Sequence, residues 1–290
     1  MPLSVQLGLL LALATAVASL VGFLLKYRGA IESPDVEWRR PIRSSLRLFR
    51  SKAYALGMGV AMASWGLHVG ALSLAPISLV QTVIAGGLVL LTVLANSVFG
   101  HEVTQREWVG VGMTAVGLAF LAATVGNTGD SAHADFQPAT LATYVGLLTA
   151  AGTAAAIAGW QTTAGASLVA ASAGLLWGAS DVSIKALSGT LDDHGIGVLV
   201  QPLAFVILLL SLYGLLVSTR SLQRGRAVPV IAITSAAANV ATIAAGPIVF
   251  GEPMPQGALG VTVRLAAFAL VVSAAALTPP PRAPAEAAAL

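Results

Sequence analysis

VFGHEVTQREWVGVGMTAVGLAFLAA (98–123) and VFGEPMPQGALGVTVRLAAFALVVSAA (249–275) decide how this chain is built. Each opens on Phe-Gly at the end of an apolar run, passes a glutamate and enters another apolar run. A second pair lies upstream. LLLALATAVASLVGFLLK (9–26) can be laid over LVAASAGLLWGASDVSIK (168–185), so that both end on lysine. The landmarks come in the same order in both halves. Apolar runs one to four therefore match runs six to nine, and run five is left over as a linker. One linking crossing reverses the second unit, so the repeats have inverted topology.

Lipid is the solvent this composition requires. Charged residues make up 9% of the 290, against roughly 25% in an ordinary soluble domain. Apolar residues make up 57%, and the mean hydropathy is +0.86. In hydrocarbon every backbone N–H and C=O needs a partner inside the protein, which leaves helices or a closed barrel. The apolar runs last about 20 residues without two-residue alternation, which selects helices. The expected spans are 4–25, 53–73, 77–99, 108–125, 139–159, 166–187, 197–218, 228–249 and 256–277. The fold class read from the sequence is an all-α polytopic membrane protein, with two inverted four-helix repeats joined by a linker helix. Residues 1–125 form the first repeat, 126–160 the outer loop and linker span, 161–277 the second repeat, and 278–290 a Pro/Ala-rich disordered tail.

Charge placement orients the spans. Lys26, Arg28, Arg39, Arg40, Arg43, Arg47, Arg50 and Lys52 fall in one connection, and Arg220, Arg224 and Arg226 in another on the same side. The alternate connections 74–76, 126–138, 188–196 and 250–255 hold no lysine or arginine. The positive-inside rule then places the N-terminus outside and the C-terminus in the cytoplasm of a cell or inner membrane. Basic charge thus marks topology rather than nucleic acid. Ile42, Leu46 and Phe49 suggest a short amphipathic helix at the inner surface. No cysteine is present, so disulfides and thiolate metal sites are excluded. No catalytic, metal or cofactor motif stands out, and no enzyme is expected.

A family resemblance rests on particular stretches. Residues 64–124 resemble spans two to four of the drug/metabolite transporter superfamily, with a short turn at Pro76, a glycine-bearing third span and a Gly-Glu turn. Residues 174–187 and 228–252 match in the second half. The unit resembles the small multidrug resistance unit, or an EamA-type repeat lacking one helix, and the nine-span count is similar to NIPA-type magnesium transporters. The resemblance implies a secondary transporter working by alternating access. One departure matters: the first-helix glutamate of the small multidrug resistance unit falls at Ala18 in one half and Trp177 in the other. Its proton-coupled drug chemistry does not carry over.

Polar groups within spans are costly and usually face a protein interior or an aqueous cavity. His68, Gln81, Asp181 and Gln201 lie roughly 6–9 Å from the outer ends of their spans, and Arg264 about 12 Å. If they face inward, they line one outward-open cavity. Gln81, His68, Trp177, Gln201 and Arg264 are the candidate substrate-binding residues. Asp181 and Lys185 are the candidates for ion or proton coupling. Asp181 and Lys185 are four apart, which also suits an intrahelical ion pair. Arg264 suits an anionic substrate group or a counter-ion role to Asp181. His68 is either titrating or structural. Trp65 and Trp177 suit cavity walls. Asn96 and Asn239 suit cross-helix bonds. Glu102 and Glu252 are each expected at the N-terminus of the helix that follows. Ala115, Ala119 and Ala123, with Gly110, Gly112 and Gly117, suggest close-packing faces, within a monomer or a homodimer. The first functional reading is transport of small polar or amphipathic metabolites. The second is divalent-cation (magnesium) transport, against which stands the single in-span carboxylate near an arginine. A third is a non-transporting scaffold or lipid-handling protein.

Overall fold

A computed structural model of the chain describes residues 2–33, 46–98, 105–124, 132–162, 165–191, 195–225 and 227–277. All regular structure among them is helical. Nine long helices appear: α1 Leu3–Ile31, α2 Lys52–Leu74, α3 Ile77–Val98, α4 Gln105–Ala123, α5 Pro138–Gln161, α6 Ala166–Ser188, α7 Pro202–Arg224, α8 Ala227–Val249 and α9 Ala258–Leu277. Local signals set several starts. Ser51 accepts from the Tyr54 N–H at the head of α2. Pro138 and Pro202 occupy the first position of α5 and α7, where a missing N–H costs nothing.

By length and composition, α1, α2, α5, α6 and α7 each suffice to cross a bilayer. The other four carry shorter apolar stretches, Ile77–Gly87, Trp108–Leu121, Ile233–Val249 and Ala258–Ala274. Their helices run 19 to 23 residues, which is near the length that a hydrocarbon core of about 30 Å needs. The protein is an all-α, multi-pass membrane protein.

Two expected boundaries shift. α1 continues past residue 25 to Ile31, because no breaker interrupts it and Lys26 is buried rather than interfacial. The seventh span begins at Pro202, after a 3-10 turn at Gly195–Val200, and runs to Arg224. Of the expected amphipathic surface helix, only a single turn at 46–48 is described. There Leu48 packs with Ala30 and Tyr54 while Leu46 and Phe49 are exposed. Ile42 lies outside the described residues.

Helix packing repeats between the halves. α1 packs on α2 and α3, and α3 on α4. Likewise α6 packs on α7 and α8, and α8 on α9. Directions agree too. α1 and α2 are antiparallel, with Gly8 beside Ala75 and Gly29 beside Tyr54. α6 and α7 are antiparallel, with Ser180 bonded to Ser211 and Gly214 beside Trp177. α1 and α3 run the same way, as do α6 and α8, where Gly174 meets Thr234 and Gly178 meets Ala241. Corresponding helices of the two halves oppose each other. Gly117 of α4 lies against Ala267 and Val271 of α9, and Thr124 against Arg264. The start of α3 meets the residues just past the end of α8. The second unit is therefore inverted relative to the first. α5 packs outside the pair, on α6 and α8.

Among the five longer spans, α6 is the most enclosed, with 67% of its apolar window buried against 33% or less in the others. Its Ala, Ser and Gly content permits this, because small side chains let backbones approach where no water-driven collapse helps. A Cβ on Gly174 would collide with the Thr234 carbonyl and lie 2.7 Å from Ala237 Cβ. Of the small residues of α4, the glycines rather than the alanines form the packed face: Ala115 and Ala119 are exposed, whereas Gly110 and Gly117 are buried with Leu121.

Gly174→Ala should therefore destabilise by about 1–3 kcal/mol, since a backbone carbonyl cannot give way. Gly66→Ala, with no neighbour within 4 Å, should leave stability unchanged or slightly raised. Thermal unfolding of the two variants in detergent compares them directly.

Candidate functional site

A cavity of about 630 Å³ lies between the two units, walled by α1, α2 and α3 on one side and α6, α7 and α8 on the other. Most of the wall is apolar, including Met58, Met62, Ile84, Ile184 and Ile207. Met62, Trp65, Leu208 and Leu212 line it and are also exposed on the outer surface. α2 and α7 do not pack along their length. They are joined by a 3.0 Å bond between Tyr54 Oη and Thr219 Oγ1, and the cavity opens between them.

Three expected residues meet on this wall from three helices. His68 of α2 places Nε2 3.2 Å from Asp181 Oδ1 of α6. Gln81 of α3 donates from Nε2 to Asp181 Oδ2 at 3.3 Å and lies 3.4 Å from His68 Nε2. The imidazole nitrogen has one role at a time. Carrying a proton, it donates to Asp181; without one, it accepts from Gln81. Asp181 thus holds the first unit's α2 and α3 against the second unit's α6, and a change at its carboxylate reaches both units. Trp177 and Trp65 line the same cavity, as does Asn239.

Hydroxyl pairs brace each unit beside the cavity. Ser19 and Ser64 bond at 2.8 Å between α1 and α2, and Ser64 donates to the Thr15 carbonyl at 3.2 Å. Ser180 and Ser211 bond at 3.0 Å between the corresponding α6 and α7. These small polar residues passed unnoticed in the sequence, where Ser and Thr are common and carry no span-level signal.

Lys185, Gln201 and Arg264 lie off the cavity. Lys185 does not pair with Asp181. Its Nζ donates to the carbonyls of Leu72 at 2.7 Å, Ala75 at 2.9 Å and Ala132 at 2.6 Å. It caps the C-terminal end of α2, where an orphaned carbonyl row and the helix dipole both favour a cation. Arg264 is fully buried between α9 and α4, with Nε donating to Thr124 Oγ1 at 2.9 Å. It is neither a cavity-lining group nor the close partner of Asp181. Gln201 is the residue before α7 and makes no side-chain cap.

Glu252 also differs from expectation. Gly251, at φ +58, turns the chain back after α8. The Glu252 carboxylate then accepts from the Ser78 N–H at 3.3 Å and from the Ser78 hydroxyl. It caps α3 of the opposite unit rather than the following helix. Burial pushes this carboxyl above its ordinary value, while the Ser78 bonds and the charges of Lys185 and His133 pull the other way. Glu102 lies outside the described residues, as do the side chains of Asn96 and Ala123. Among the described residues no group of three or more His, Asp or Glu side chains is placed to hold a metal ion.

The chain is 25% identical to the "Probable magnesium transporter NIPA9" of Arabidopsis thaliana over 277 residues, covering 90% of this chain and 78% of that protein. No family model matches, and no solved structure matches at a significant level. The similarity runs across both units, so it concerns the whole architecture rather than one motif.

Removing the Lys185 charge should strand three carbonyls at the end of α2 and its loop contact. Lys185→Met should cost about 1.5–3 kcal/mol, the range for bonds to a charged donor, and lower the unfolding temperature in detergent. An unchanged unfolding temperature would count against the capping role.

Proposed function

We propose that the chain is a secondary transporter of the drug/metabolite type, carrying a small polar or amphipathic solute by alternating access. The observation that carries this reading is the His68–Gln81–Asp181 cluster, set in a cavity between two inverted four-helix units. Inverted repeats with a polar site at their interface are a recurrent construction of secondary transporters. The units would be residues 1–125 and 161–277, rocking about the cavity, with α5 as a passive linker. Asp181 is the coupling group. Its contacts bridge both units, so its occupation by a proton or a solute cation biases their relative position.

The similarity to a probable magnesium transporter favours a second reading, movement of a hydrated divalent cation. Magnesium keeps much of its water and is often held by one or two carboxylates. Asp181 would supply one, with Gln81 and the hydroxyls of Ser19 and Ser64 facing its waters. The apolar remainder of the cavity favours the organic solute. Purified protein in liposomes separates the two readings: a magnesium-sensitive dye inside reports cation entry, and labelled amines, amino acids or organic acids report solute entry.

The basic connections further support an external N-terminus and a cytoplasmic C-terminus. The cysteine-free chain is a ready background for testing this. Single cysteines near Ser4 and near Leu290 should react with a membrane-impermeant maleimide from outside and only after lysis, respectively. Asp181→Asn should cut uptake of whichever solute is carried at least tenfold while leaving the protein folded; undiminished uptake would overturn the coupling role.

A further inference from the structure

We propose that Lys26 is an anion-binding pole of the cavity, and that the solute is an organic acid with an apolar body. The inference rests on the transporter reading for its meaning but not for its test.

Lys26 is nine-tenths buried, at 7% exposure, and lines the cavity. Its Nζ sits over the Phe23 ring, 4.5 Å from the centroid. An aromatic face offsets only part of the cost of removing an ammonium from water. Among the described residues no carboxylate pairs with Lys26 and no carbonyl accepts from it. A lysine near a helix end ordinarily extends its stem and reaches the interface; this one is turned inward.

The inverted repeat sharpens the point. Lys26 and Lys185 end the two matching stretches 9–26 and 168–185, and both are buried. Lys185 satisfies all three of its donors on carbonyls. Lys26, in the corresponding place of the first unit, has an aromatic ring and the cavity. The same residue at equivalent positions meets three carbonyls in one unit and an aromatic ring and the cavity in the other. The first caps a helix, and the second faces the space a ligand would fill.

The poles are well separated. The Lys26 backbone lies beside Gly57 of α2, whereas Asp181 meets the same helix at His68. Those positions are about 16 Å apart along α2. Between them the wall includes Met58, Met62 and Ile84, with the Ser64 hydroxyl turned to Ser19 and the Thr15 carbonyl. A solute held at Lys26 therefore presents an acidic group to the lysine and an apolar body to this wall. The opening between α2 and α7 gives such an amphiphile access from the bilayer side. A bare or hydrated divalent cation gains nothing from a fixed ammonium.

The test uses the full chain in phosphatidylcholine nanodiscs, titrated with octanoate and with its neutral analogue octanamide. Quenching of tryptophan fluorescence reports occupation, because Trp65 and Trp177 line the cavity. Octanoate should bind the wild type at least tenfold more tightly than octanamide. Lys26→Met should abolish that preference and leave octanamide binding unchanged, and Lys26→Arg should keep it. Equal binding of the two probes to the wild type, binding of neither, or a preference that survives Lys26→Met would each overturn the proposal. Should Lys26→Met fail to fold, the wild-type comparison and Lys26→Arg decide. Liposome uptake separates this from the transporter reading. Lys26-dependent binding without flux of any solute overturns transport alone, and flux indifferent to Lys26→Met with no octanoate preference overturns the anion pole alone.

Discussion

Hydrocarbon offers no hydrogen bonds, and each polar group in this chain is placed by that fact. The backbone answers by becoming helix almost throughout the described residues. The helix ends are harder, since each leaves four N–H or C=O groups without a partner. This protein closes such ends with side chains from elsewhere. Lys185 of α6 covers the last carbonyls of α2, and Glu252 beyond α8 accepts from the Ser78 amide and hydroxyl at the start of α3. Arg224 at the end of α7 donates to Gly159 and Trp160 at the end of α5. Each of these bonds ties one helix to another, so end-capping also fixes helix positions.

The cavity depends on this frame. Lys185 and Glu252 link the second unit to α2 and α3 of the first, on the side where His68, Gln81 and Asp181 meet. Tyr54 and Thr219 join α2 to α7 nearer the basic connections. The cavity lies between these ties, with small residues on α6 bringing α8 close and leaving the α2–α7 side open. Packing is close between α6 and α8 and loose between α2 and α7, where the cavity opens.

The two halves share their packing and a bracing hydroxyl pair but not their charged groups. Asp181 has no acidic counterpart at the matching position of α1, which is Gly22. Lys26 and Lys185 match in sequence and differ in partners. An inverted repeat supplies two equivalent sets of positions, and sequence divergence lets Lys185 hold the frame while Lys26 faces the cavity. A similar asymmetry is visible in Arg264 of α9, which is sealed against Thr124 and does not approach the cavity.

The helical class, the long apolar segments and the repeated order of landmarks in the two halves were legible in the sequence, as was the rarity of in-span polar groups such as His68, Gln81 and Asp181, but not that these three meet. Apolar length, charge alternation and rarity of in-span polar groups are properties of local composition, and lipid exposure enforces them residue by residue. The partners of Lys185, Arg264 and Glu252 were not legible. Periodicity tells which residues share a helix face but not which helix that face meets, so Lys185 looked like a partner of Asp181 four residues away. Only the tertiary structure decided that it reaches carbonyls more than a hundred positions distant, because a buried ammonium saturates on whichever acceptors the packing brings within reach. The same packing left Lys26, its sequence equivalent, facing the cavity.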